Sequence, residues 1–133
     1  MDYKNIANLP AMFFERAKAL GPKPFLWGKR EGAYRAISWR EAAGIVSRLS
    51  RGLRAIGIER GERVALVSEN RPEWALADIA IMAAGAIAVP GYVTNTSDDH
   101  RHILSNTGAK AAIVSSRKLA ANLLAAARHP PAY

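Results

Sequence analysis

The sequence predicts an α/β fold: a helix, a hairpin and a long helix, followed by a β-α-β-α-β-α unit on a parallel sheet. Three observations predict it. From Arg63 onward, short apolar runs alternate with segments of helical spacing. The first of these runs, Arg63 to Ser68, is continuously apolar in its interior rather than alternating, as in a strand buried on both faces. Asn, Ser or Thr stands before most predicted helices, and Gly or Pro follows them. The linkers are short, and no repeat, low-complexity tract or internal boundary divides residues 1–133, so one domain is expected.

The first helix is read from Asn8 to Leu20. Leu9, Met12, Phe13, Ala17 and Leu20 share a stripe, and Gly21-Pro22 stops the helix. Pro24–Arg30 and Ala33–Ser38 then flank Glu31-Gly32, a hairpin signal. Ser38-Trp39-Arg40-Glu41 fits a capping box, in which serine and glutamate reciprocally satisfy amides that the first helical turn leaves free. Ala42, Ile45, Val46, Leu49, Leu53 and Ile56 continue at helical spacing. Arg40, Arg51 and Arg54 lie opposite, and Gly57 supplies the left-handed exit.

After the strand at Arg63–Ser68, Asn70 is read as the cap of a helix with Pro72 in its first turn. That helix runs to about Ala84 and is apolar nearly all round, so burial on most faces is expected, Trp74 included. Ile87–Gly91 is expected as a second buried strand. Thr96 caps a helix to Thr107, closed by Gly108. Ala111–Ser115 is a third strand, and Arg117–Arg128 a last helix before Pro130-Pro131. The longest apolar stretch, Trp74 to Pro90, holds 17 residues and includes Asp78. A membrane-spanning helix needs about 20, so a buried helix running into a strand is the reading.

Composition narrows the chemistry. Of the 133 residues, half are apolar and 23% charged, which is globular rather than disordered. There is no cysteine, which removes disulfides, thiolate zinc sites and thiol nucleophiles and suits a reducing compartment. Met1 to Pro10 lacks a signal-peptide core, so a cytoplasmic location is expected. Net charge is +8, and residues 1–60 carry 12 basic against 5 acidic side chains. Such a bias suits an anionic membrane, an acidic partner or a missing acidic region. Without aromatic–basic interleaving, nucleic acid is not expected.

Recognised catalytic motifs are missing. No two of the ten glycines are separated by a single residue, which excludes the dinucleotide fingerprint, and no G-x-x-x-x-G-K-[ST] loop occurs. His100 and His102 point to different faces of their helix and are read as solvated surface residues rather than metal ligands; His129 stands apart. No catalytic or metal residue is assigned. The most distinctive polar cluster is Glu69-Asn70-Arg71-Pro72-Glu73-Trp74, whose residues all have capping or packing roles. Because ligands bind beyond the carboxyl ends of parallel strands, the loop Pro90 to Thr96 is the best place for a binding contribution; a plain connecting loop is the alternative.

Several runs together resemble a known family. These are Ile37 to Glu41, Gly57 to Leu66, Glu69 to Trp74, Gly85 to Pro90 and Ile103 to Lys110. In this order they resemble the N-terminal segment of AMP-forming acyl-CoA synthetases. The E-N-R-x-E-W form and the preceding hairpin are most similar to long-chain fatty acid–CoA ligases. The resemblance covers about residues 5–118 and implies the N-terminal part of a larger adenylate-forming domain. It implies an enzyme using ATP, CoA and magnesium: a fatty acid carboxylate attacks ATP to give acyl-adenylate and pyrophosphate, and the CoA thiol displaces AMP. The family's phosphate loop, adenine and ribose motifs and catalytic lysine are not found in this sequence, so the chain alone is expected to be inactive and to bind none of these groups tightly.

The loop matching Tyr92-Val93-Thr94 is glycine-rich in some relatives and lies near the CoA nucleotide, so Tyr92 and Thr94 are the CoA-side candidates this resemblance implies. This sequence lacks those glycines. Arg117 and Lys118 stand where they would attract CoA phosphates, with charged surface at a helix start as the plainer reading. The expected partners are a fatty acid and the remainder of the adenylate-forming domain, with peripheral membrane contact as a further option. Two other classes stay open: a standalone nucleotide- or partner-binding module, and a basic membrane-surface protein.

Overall fold

A computed structural model describes residues 3–128. After a short 3₁₀ turn at Tyr3–Asn5 come α1 (Leu9–Leu20), β1 (Pro24–Arg30), β2 (Ala33–Ser38) and α2 (Trp39–Ala55). Then follow β3 (Arg63–Val67), α3 (Pro72–Ala83), β4 (Ile87–Gly91), α4 (Ser97–Thr107), β5 (Ala111–Val114) and α5 (Arg117–Arg128). The expected element order and the parallel sheet are present. Pro130 and Pro131, read as the stop of the last helix, lie outside the described residues, as does His129.

The two sheets are separate. β1 and β2 form an antiparallel hairpin, while β4, β3 and β5 form a parallel sheet in that order. Leu66 of β3 lies in register with Pro90 on one side and Ile113 on the other, so β3 is hydrogen-bonded along both edges. Its Val64, Ala65, Leu66 and Val67 are almost inaccessible to solvent. Alternate β3 side chains serve opposite faces. Val64 and Leu66 pack with Leu53, Ala77 and Ile81 under α2 and α3. Val67 packs with Leu119, Leu123 and Leu104 under α5 and α4. Strand order reverses at β3, so crossovers of constant hand place the two crossover helices, α3 and α4, on opposite faces.

β4 corrects the sequence reading. Expected as buried, it is a sheet edge, and Ile87 is 52% exposed. The apolar run predicts strand formation but carries no information about which neighbour is missing.

The helix ends are set locally. The Ser38 hydroxyl accepts the Glu41 amide at 3.2 Å, while the Glu41 carboxylate accepts the Ser38 amide at 2.8 Å. Thr96 and Asp99 repeat this capping box at α4. Asn8 accepts the Ala11 amide at α1. Asn70, however, does not cap α3. Arg71 holds the cap position, in extended backbone and with no side-chain cap bond. Pro72 at the first helical position has no amide to satisfy. At the other end, Gly85 (φ +83°) turns the chain. The Gly85 amide donates to the Met82 carbonyl and the Ala86 amide to the Ile81 carbonyl, so the helix stops where β4 must begin.

A second core joins the hairpin to the helices. Phe13, Ala42, Val46, Leu76 and Ala80 are buried, with Phe25, Leu26, Ile37 and Trp39 against them. Phe25 and Trp39 ring centroids lie 3.9 Å apart. Gly28 brings the hairpin onto α3, since an added Cβ would meet Pro72 Cγ at 3.0 Å.

Leu66→Ala removes the largest buried side chain of the central strand. It should lower unfolding free energy by about 2–5 kcal/mol, read from urea denaturation followed by far-UV circular dichroism. A loss under about 0.5 kcal/mol, the range of surface substitutions, would contradict the central placement of β3.

Candidate functional site

The reversal of strand order opens a crevice between the carboxyl ends of β3 and β5, the usual ligand position in open parallel sheets. A cavity of about 230 Å³ lies there, lined by Leu66, Ser68, Arg71, Glu73, Trp74, Ile113, Val114 and Ser115. Register explains the meeting: Val67 is opposite Val114, so Ser68-Glu69 and Ser115 leave the sheet side by side. The Ser115 hydroxyl donates to Glu69 Oε2 at 2.5 Å, which holds the Glu69 carboxyl below its usual range.

An ion-pair chain flanks the cavity. Glu73 accepts from Arg71 Nε at 3.0 Å and from Arg30 Nη2 at 2.7 Å, tying β1 to the start of α3. Burial alone would raise the Glu73 carboxyl, but the Arg71 bond, with help from Arg30, brings it below the usual range. These pairs are largely solvent-exposed, so their main effect is to fix orientation. Trp74, expected to be buried, is half-buried: it packs on the core with Ile113 and lines the open cavity beside β5.

The four sequence-derived candidates do not meet. Tyr92 (80% exposed) and Thr94 follow β4 at one sheet edge. Arg117 and Lys118 open α5 after β5 at the other edge and are exposed. With β3 between them, the two pairs are separated by two strand spacings, roughly 10 Å. None lines the crevice. Glu69 and Ser115, which do meet there, carried a readable signal: each follows a parallel strand within two residues.

His100 is a further correction. Read as a solvated residue, it is only 1% exposed, and its Nε2 has no hydrogen-bond partner among the described atoms. The capping box turns α4 so that His100 lies against the end of β4. A Cβ at Gly91 would sit 3.7 Å from His100 Cε1 and 3.1 Å from Val67 Cγ2. Burial lowers the His100 pKa, and the neighbouring Asp99 carboxylate opposes this without reversing it. His102 is exposed, as read.

The crevice is small and mixed in character. Its volume lies below the ~300–1,000 Å³ of small-molecule sites. Among the described residues no three His, Cys, Asp or Glu side chains cluster to hold a cation. Also among them, no helix is long and apolar enough to cross a membrane.

Residues 13–132 match the family described as AMP-binding enzyme, and the chain belongs to that family. A curated relative, the long-chain-fatty-acid–CoA ligase FadD15 of Mycobacterium tuberculosis, is 33% identical over 103 residues. The alignment covers 77% of this chain but only 17% of that enzyme, so the chain spans about a sixth of its relative. A fatty acyl CoA synthetase from Mycobacterium tuberculosis superposes with a TM-score of 0.76 at 25% identity, over 91% of this chain and 23% of that one. A benzoate CoA ligase from Burkholderia xenovorans reaches 0.79 at 22% identity, over 90% and 23%, and shows the shared fold.

Two outcomes are expected. Trp74→Ala should cost about 2 kcal/mol in urea unfolding, less than the ~3–5 kcal/mol of a fully buried aromatic. A value at either extreme would contradict half-burial. For His100, whose folded pKa is lowered, the unfolded chain binds the proton first. Its contribution is therefore complete above about pH 6.5 and falls as pH drops through that value. The carboxylates lowered by Ser38, Thr96 and Ser115 lose their contributions only further down, below the ordinary carboxylate range. His100→Phe should flatten the fall in stability just below about pH 6.5; an unchanged slope there would exclude His100 as its source.

Proposed function

We propose that this chain is the N-terminal portion of an ATP-dependent, AMP-forming fatty acid–CoA ligase, with long-chain acids as substrate. The observation that carries this reading is the 33% identity to the Mycobacterium tuberculosis long-chain ligase over 77% of the chain. In this reading the segment is scaffold: it sets the parallel sheet from which the rest of the adenylate-forming domain continues. The partner it needs first is that remainder. The exposed Ile87 edge of β4 supports this, as does the apolar groove of about 560 Å³ beside β5, lined by Leu104, Ala112, Leu123 and Leu124.

ATP, CoA and magnesium belong to the whole enzyme in this proposal, and no catalytic step is assigned to residues of this chain. Tyr92, Thr94, Arg117 and Lys118 are kept as CoA-side contacts; their support is exposure at the carboxyl end of the sheet. The proposed location is cytoplasmic, with peripheral membrane contact suggested by the basic first half.

The test is ATP–pyrophosphate exchange. The purified 133-residue chain with palmitate, ATP and magnesium should give background exchange. A ligase lacking its matching first segment should regain exchange when this chain is added in trans. Exchange by the chain alone would overturn the scaffold reading. No rescue by a chain shown to be folded would overturn its place in such an enzyme.

A further inference from the structure

We propose that the groove between the hairpin and α2 binds a compact phosphate-bearing ligand through Arg35, Arg40 and Arg48. The groove measures about 560 Å³ and also involves Arg30, Glu41, Ile37 and Ile45. Its volume is that of a small-molecule site. The inference stands independently of the ligase reading.

Local geometry puts the arginines there. Arg40, Gly44 and Arg48 recur at four-residue spacing and stack along one face of α2. Arg35 pairs across the hairpin with Gly28, so it stands on the same hairpin face as Leu26, Arg30 and Ile37. Two glycines let the groove wall pack closely. A Cβ at Gly44 would lie 3.3 Å from Arg48 Nη1, so that guanidinium rests over bare backbone. At Gly28 the bare backbone receives Pro72, another residue of the groove wall.

The charges are not compensated. Glu73 engages Arg30. Glu41 is the one carboxylate lining the groove, and its Oε2 already accepts from the Ser38 amide and hydroxyl. Among the described residues, Arg35, Arg40 and Arg48 form no ion pair. Three free guanidinium forks around one concavity favour a ligand with several negative charges a few ångströms apart. Phosphate oxygens match each fork in a bidentate manner, and a chain of phosphates supplies that charge density. Ile37 and Ile45 offer apolar wall to whatever group carries the phosphates.

The probe is sodium tripolyphosphate, titrated calorimetrically into the 133-residue chain at 20 and 150 mM salt. A parallel arm sediments the chain with vesicles of phosphatidylcholine and phosphatidylglycerol. Arg35→Ala/Arg48→Ala removes two exposed side chains from the groove; Lys18→Ala/Arg128→Ala removes the same charge elsewhere. Saturable one-to-one binding is expected, at least roughly tenfold weaker in the groove variant and unchanged in the control. Binding to vesicles but not tripolyphosphate, lost only in the groove variant, would assign the phosphate to a lipid headgroup and still support the site. Three results would overturn it: no binding in either arm, equal losses in groove and control variants, or equally tight binding of hexaglutamate.

Discussion

The parallel pairing of β3 along both of its edges is the constraint on which the rest of the molecule depends. A strand so placed has no route to water for its amides or side chains, so both faces need apolar cover. α2 and α3 cover one face and α4 and α5 the other. The same pairing makes the two outer strands edges, which explains why an apolar strand such as β4 ends half in solvent. It also brings Glu69 and Ser115 together, because residues that leave aligned strands leave side by side.

Carboxylates and arginines are deployed differently. Glu41 and Asp99 are committed to helix starts, where hydrogen bonds from Ser38 and Thr96 hold their pKa values low. Glu73 fastens the hairpin to α3. With 11 acidic side chains against 19 basic ones, several arginines remain without partners, and they are not evenly spread. The spacing of α2 and the register of the hairpin gather three of them around one groove. The basic first half is therefore partly a local feature with a shape, not only a solvated face.

Family membership and the fold belong together physically. The runs Gly57–Leu66 and Gly85–Pro90, on which the family resemblance was read, coincide with helix ends and the starts of β3 and β4. Their glycines carry the positive φ angles that let each chain segment reverse, at Gly57, Gly61 and Gly85. The benzoate CoA ligase, at 22% identity and a TM-score of 0.79, shares this fold.

Much of the fold was legible because its signals are local. Capping at Ser38 and Thr96, the glycine exits and the hairpin at Glu31-Gly32 each depend on neighbours within a few residues, and all are present. The cap of α3 lies one residue beyond Asn70, at Arg71, where extended backbone precedes Pro72 and no side chain caps the helix. The sequence by itself determined the element order, the parallel sheet and the family. Only the tertiary structure decided that β4 is an edge, that Trp74 is half-covered and that His100 is buried. It alone brought Glu69 to Ser115 and placed the arginines of β2 and α2 on a common groove. Helical and strand periodicity specify which residues share a face. Which faces meet is set by strand order and by crossings between elements distant in sequence.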